Sequence, residues 1–305
     1  MGRRTSVVVL AALAAAIPAA CGGDEPASSK DAGRAGEPVR IGTKDFTEQF
    51  ILGELYGQAL RAKGFHVELK RDVGSSEIIH QALAGGGLDM YPEYVGVLLS
   101  EIANQRKRPR SPAGAYRAAK AFEERDGFTL LARTPFSDSN ALAVKPSFAR
   151  RHRLRTIGDL GRVPGTVQIG APPEFRTRFE GMVGLGERYG LRNVEVKPLT
   201  IGEQYRALEL GEVDAAAVFT TDGQLAGRGY VLLEDSRGLF ASGHVAPVIS
   251  RRSVRSHGRR LTTTIDAVSA RLTTVAMRRM NAAVDQGGRS AQSVADVFLR
   301  RQRLK

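Results

Sequence analysis

The chain has 305 residues, a formal net charge of +13, one cysteine and no tryptophan. A single cysteine excludes a disulfide framework, a cysteine metal site and thiol-pair redox chemistry. The basic residues are scattered, densest at 151–155, 251–260 and 300–305, and without an interleaved aromatic stripe they read as solvated helix faces and not as a nucleic-acid surface.

Arg3 and Arg4 precede an uncharged Ala/Val-rich run from Val7 to Ala20, too short to span a bilayer but fitting the apolar core of a secretory signal. Residues 1–20 are therefore expected to be a signal peptide. Cys21 stands after Ala19-Ala20 and before Gly22-Gly23, which resembles a bacterial lipobox, with Pro18 where an aliphatic residue is usual. This predicts lipidation at Cys21 and attachment to the outer face of the cytoplasmic membrane; the alternative is a soluble secreted protein cut at a nearby Ala-x-Ala site. Residues 21–38 are rich in Gly, Ala, Ser, Pro and charge, and predict a flexible tether.

From Val39 onward strands and helices alternate. Val39 to Thr43 predicts a strand, Thr47 to Lys63 a helix with Ile51, Leu52, Leu55, Tyr56, Ala59 and Leu60 on one side, and Phe65 to Val73 a second strand. Gly64 is placed to end the helix. A helix from Ser76 to Ala84 and a strand at Leu88 to Tyr91 follow, the signature of parallel-sheet α/β architecture. The pattern A-L-x-x-G-x-x-D then occurs twice, at Ala82–Asp89 and Ala207–Asp214, each a helix stopped by glycine before a strand. Two lobes of like construction are expected.

Ala141 to Val144 and Pro247 to Ser250 are brief apolar segments, taken as crossovers between lobes. This gives lobe 1 as 39–143 plus 248–305 and lobe 2 as 144–247, with helical residues Leu261, Ile265, Val268, Leu272, Val275, Ala276 and Met280 packed back on lobe 1. A cleft between such lobes is a natural small-ligand site. At its edge, Lys44, Thr47 and Gln49 lie at or near a predicted helix start, where free N–H groups and the helix dipole favour an anionic group; capping by Asp45 or Thr47 is the plainer role for that segment.

Several blocks in order, GTKDFTEQFILGELYGQAL at 42–60, LDMYPEYVG at 88–96, PFSDSNALAVK at 135–145, PPEFRTRFEG at 172–181, VDAAAVFTTDG at 213–223 and MRRMNAAVDQGG at 277–288, resemble the substrate-binding proteins of ABC importers for glycine betaine, choline, carnitine and related osmoprotectants. The resemblance implies an α/β type II periplasmic-binding-protein fold, two lobes joined by two hinge strands, closing on ligand. It implies a tyrosine cage for a quaternary ammonium, which has no N–H and is recognised through aromatic faces. A lysine, a threonine and an arginine for a carboxylate are implied too, and the lysine and arginine match Lys44 and Arg178. Tyr94 matches one cage position; Asn140 stands in place of a second tyrosine and Phe219 of a third, ahead of Thr220 and Thr221. Gly243 falls where the last tyrosine is usual, and Val95 and Val97 replace threonines. Phe46, Tyr91 and Phe240 are the aromatics placed to rebuild the cage. The cleft so described suits a small zwitterionic solute.

The partners implied are an ABC permease and its ATPase, with the protein itself a monomer and without cofactor. No enzyme is expected: the five histidines have no metal-ligand spacing, no Ser or Cys nucleophile pairs with a base motif, and to Glu174 and Asp222, the candidate acid–base residues, the resemblance assigns structural and loop-forming surroundings. The alternative is a non-transport sensor or structural lipoprotein on the same fold.

Overall fold

The computed structural model describes residues 37–305 except 106–108, 110, 227–228 and 241–242; the expected signal, Cys21 and the tether as far as residue 36 lie outside the described residues. Val39 and Ile41 are fully buried and flank the partly exposed Arg40, which makes β1 (Val39–Gly42) a strand with one face turned to the core. In α1 (Thr47–Ala62) the predicted apolar side is buried, and Gly64, at φ 83°, ends the helix by donating to the Arg61 carbonyl at 2.9 Å. The outward pass continues through β2 (Val67–Lys70), α2 (Ser76–Ala84), β3 (Met90–Tyr94), the short α3 (Val95–Val97), α4 (Pro112–Arg125) and β4 (Phe128–Leu130).

A second half follows: β5 (Asn140–Val144), α5 (Pro146–His152), β6 (Val167–Ala171), α6 (Gly184–Tyr189), β7 (Val194–Pro198), α7 (Glu203–Leu210), β8 (Ala215–Phe219) and β9 (Val231–Leu233). The chain returns through β10 (Val245–Ser250) into α8 (Arg251–Ser269), α9 (Thr274–Asp285) and α10 (Ala291–Arg301). Two five-stranded sheets result, ordered β2-β1-β3-β10-β4 and β7-β6-β8-β5-β9. In each, three parallel strands meet one antiparallel strand, β10 or β5, which in turn holds the edge strand.

The repeated sequence pattern has a matching role in both halves. Gly86 and Gly211 adopt φ 73° and 75°, and the following aspartates clasp the equivalent strands β1 and β6: Asp89 Oδ2 accepts from the Arg40 amide at 2.9 Å, and Asp214 Oδ2 from the Gln168 amide at 2.9 Å. A left-handed glycine turns the chain so that the aspartate enters beside that strand.

Two expectations shift. Ala141 to Val144, expected as a crossover, lie within β5, all of which pairs in the second sheet, while β10 belongs wholly to the first. The segments that lead into β5 and β10 touch at the Ser137–His244 bridge. Gly243 lies in the second of these, where an added Cβ would fall 1.0 Å from the Asp138 carbonyl oxygen, so the position has no room for a cage tyrosine. On the C-terminal helices, Leu261, Ile265, Val268, Leu272, Met277 and Met280 join the core around α1, whereas Val275 is 59% exposed because the helix turns Met277 inward in its place.

Candidate functional site

The turn between β1 and α1 carries Lys44, Asp45 and Phe46 to the edge of the first sheet. There they meet Ser75 and Ser76 at the start of α2, Tyr94 at the end of β3, and Val97 and Glu101 just beyond it. Facing them from the second half are Asn140 at the head of β5, the segment after β6 with Glu174, Phe175, Arg178 and Glu180, and Phe219 at the end of β8. Strand ends and helix starts converge on the same gap, as is usual for ligand clefts in α/β proteins. The gap encloses about 740 Å³, open mouth included.

Its base is aromatic. Phe46 stacks on Phe219 from the opposite half, with centroids 5.2 Å apart and planes at 16°, and lies against Tyr94 at 6.2 Å and 19°. Lys44 Nζ sits 4.5 Å from the Tyr94 centroid. The ammonium is buried and does not stand free, since it lies 2.7 Å from Glu93 Oε1 and donates to Ser76 Oγ at 3.0 Å. Arg178 crosses the gap: Nε and Nη2 bind the two oxygens of Glu77 at 3.2 and 2.7 Å, and Nη1 lies 3.6 Å from Glu174. That fork holds the Glu77 carboxyl down at about 2 even though burial opposes it. Asn140 Nδ2 donates to Glu180 Oε2 at 2.8 Å.

Behind the aromatic base lies a second carboxylate cluster. Glu48 is buried and accepts from Tyr94 Oη at 2.9 Å, Thr221 Oγ1 at 2.6 Å and Asn281 Nδ2 at 2.8 Å. Asp138, also buried, accepts from the Thr221 amide at 3.0 Å, and Asp222 accepts from Tyr205 Oη at 2.6 Å and the Phe219 amide at 3.0 Å. These hydroxyls and amides do not offset the loss of water, and burial pushes all three carboxyls up, Asp222 to about 7. Here the two halves are in direct contact: Asn281 and Arg278 of α9 donate to the Thr221 and Thr220 carbonyls at 3.0 and 2.8 Å. An alanine Cβ at Gly223 would fall 2.5 Å from Ala282 Cα.

Of the residues expected at the site, Lys44, Phe46, Tyr94, Asn140, Arg178 and Phe219 line the gap. Thr47, Gln49, Thr220 and Thr221 do not. Thr47 Oγ1 binds Asp285 at 2.6 Å on the outside, buried Gln49 accepts the Lys44 amide at 3.4 Å, and Thr220 and Thr221 serve the contact behind. Among the aromatics weighed as replacements, Phe46 reaches the gap, while Tyr91 is fully buried in the first half and Phe240 packs on the second core. Sequence reasoning missed Glu77, Glu93, Glu101 and Glu180, although Glu93, inside the YPEY block, and Glu180, inside PPEFRTRFEG, stood in segments already marked. Among the described residues no group of His, Cys, Asp and Glu is arranged to hold a metal ion, and no helix is long and apolar enough to cross a membrane.

Comparison with known proteins places this geometry. Residues 37–301 match the family described as the substrate binding domain of ABC-type glycine betaine transport systems. A glycine-betaine-binding protein of Pseudomonas aeruginosa is 32% identical over 280 residues, covering 88% of this chain and 89% of that one. The glycine betaine-binding protein YehZ of Escherichia coli is 26% identical over 281 residues, covering 88% and 92%. Among solved structures, a glycine betaine/carnitine/choline ABC transporter protein superposes with a TM-score of 0.69 at 25% identity, covering 87% of this chain and 99% of that one. The two-sheet architecture is thus that of type II periplasmic binding proteins.

Proposed function

We propose a mode of solute capture for a chain that belongs to the family of substrate-binding domains of ABC-type glycine betaine transport systems. The protein is an extracytoplasmic substrate-binding protein of an ABC importer, a binder and not an enzyme, whose family works with permease components. Its solute belongs to the quaternary amine and betaine class or a close relative, bound between the two halves and released to the permease as they part. Lys44, Phe46, Tyr94, Asn140, Arg178 and Phe219 are the side chains that meet it.

The observation that carries this reading is the stack of Tyr94, Phe46 and Phe219, which brings aromatic faces from both halves to the base of one cleft. Aromatic faces attract an amine head, and a base shared by the halves makes binding favour closure. The halves are assigned as residues 39–139 with 245–305, and 140–244. Lipidation at Cys21 tethers a monomer to the outer face of the membrane; Cys21→Ser should release it from the membrane fraction.

The solute reading is tested by calorimetric titration and thermal melting of the purified protein with glycine betaine, choline, carnitine and ordinary amino acids. A ligand at about 100 times its dissociation constant stabilises by about 2.7 kcal/mol. A melt that moves with an amine of this class supports the reading, and one that moves only with ordinary amino acids overturns it.

A further inference from the structure

We propose that the solute is a small cation that lacks a carboxylate and carries at least one N–H, a proposal that rests on the receptor reading above. A betaine needs cations for its carboxylate, and the two cations lining the cleft are already paired. Lys44 is held by Glu93 at 2.7 Å, and Arg178 by both oxygens of Glu77. Around that one guanidinium stand Glu77, Glu174 at 3.6 Å and Glu101, which is close enough to act on it through charge. A ligand carboxylate entering there would displace Glu77 and stand among Glu77, Glu174 and Glu101, so that like-charge repulsion, and not the loss of a solvent-screened pair, opposes it.

The charge balance favours a cation. Lys44 and Arg178 share the lining of the gap with Asp45, Glu101, Glu174 and Glu180, two positive groups among four negative. Glu101 Oε1 is buried with no hydrogen-bond partner among the described residues, and burial pushes this carboxyl upward. An N–H on the ligand satisfies that oxygen, whereas a trimethylammonium offers nothing to it. The aromatic base also favours a cation. The faces of its three nearly parallel rings attract any ammonium head and do not distinguish one bearing N–H from a quaternary one. The selective element then becomes the carboxylate wall.

The test is calorimetric titration of the purified protein with glycine betaine, choline, N,N-dimethylethanolamine and ethanolamine. Betaine against choline reads the carboxylate, and the ethanolamine series adds N–H donors one methyl at a time. The wild type should bind dimethylethanolamine or ethanolamine at least about tenfold tighter than glycine betaine, and Glu101→Gln should weaken that amine by about tenfold. Glu77→Gln, which frees Arg178, should strengthen glycine betaine by about tenfold with the melting curve still cooperative. Wild-type protein that prefers glycine betaine or choline to both N–H amines overturns this proposal and leaves the receptor reading in place. Silence toward all four compounds from folded wild type and Glu77→Gln likewise overturns this proposal.

Discussion

Two carboxylate clusters lie on either side of the Phe46–Phe219 stack and meet opposite fates. In front, Glu77 and Glu93 face Arg178 and Lys44, and the Glu77 carboxyl falls to about 2. Behind, Glu48, Asp138 and Asp222 meet hydroxyls and amides, and their carboxyls rise, Asp222 to about 7. A full opposite charge outweighs desolvation, whereas neutral donors only reduce it. The front cluster is therefore built to choose a ligand, and the rear one to join the halves around an enclosed contact.

The sharpest way to break this contrast is Glu48→Ala. It strips one acceptor from Tyr94, Thr221 and Asn281 together, and should cost about 4 kcal/mol in denaturant unfolding. A loss below about 1 kcal/mol would mean that the rear cluster does not hold the halves together.

Next in size is Gly223→Ala, expected to cost about 2 kcal/mol because the new Cβ meets α9 backbone and not a side chain that can swing away. A fully stable variant would show that α9 shifts without penalty.

The pH dependences should run in opposite directions. Asp222 has a folded value raised above its ordinary 3.8, so the stability it contributes is fully present below about pH 4 and is lost as the pH rises through 7. Asp222→Asn keeps an acceptor for Tyr205 and the Phe219 amide while removing the charge, and should raise stability at pH 8 by on the order of 2 kcal/mol with little effect at pH 4. Melting curves at the two pH values check this. If the variant gains equally at both, the charge is not the cause.

Glu77 has a folded value depressed below its ordinary 4.5, so its contribution is present above about pH 4.5 and is lost as the pH falls toward 2. Being partly exposed, the Glu77–Arg178 pair is worth less than about 1 kcal/mol after solvent screening. Glu77→Gln should flatten the acid limb of the stability profile by that small amount while leaving the profile at pH 7–8 unchanged in shape. A large loss of stability at neutral pH would make the front pair structural instead of selective.

Much of the architecture was readable along the chain. The apolar side of α1, the stop at Gly64 and the span of α2 follow from periodicity and glycine, and the doubled A-L-x-x-G-x-x-D marks like turns in both halves because the aspartates clasp the equivalent strands β1 and β6. Strand limits were less legible: β2 ends at Lys70 and β3 starts at Met90 and runs to Tyr94, since hydrogen-bonded neighbours and not apolar runs decide where a strand stops. The sheet to which Ala141–Val144 belong was illegible for the same reason, because a short buried strand looks alike in either sheet.

For the site, sequence alone determined which segments reach the cleft, through blocks such as TKDF, YPEY and EFRTR that sit at strand ends and helix starts. The resemblance to the binding-protein family pointed to Lys44, Tyr94, Arg178 and Phe219, and all four line the gap. Only the tertiary structure decided what those groups face. Glu77 lies 101 positions from Arg178 and Glu93 lies 49 from Lys44, and Thr221 joins Glu48 across 173. Charge pairing depends on distance through space and on the water excluded along the way, and neither quantity is written in the local order of residues.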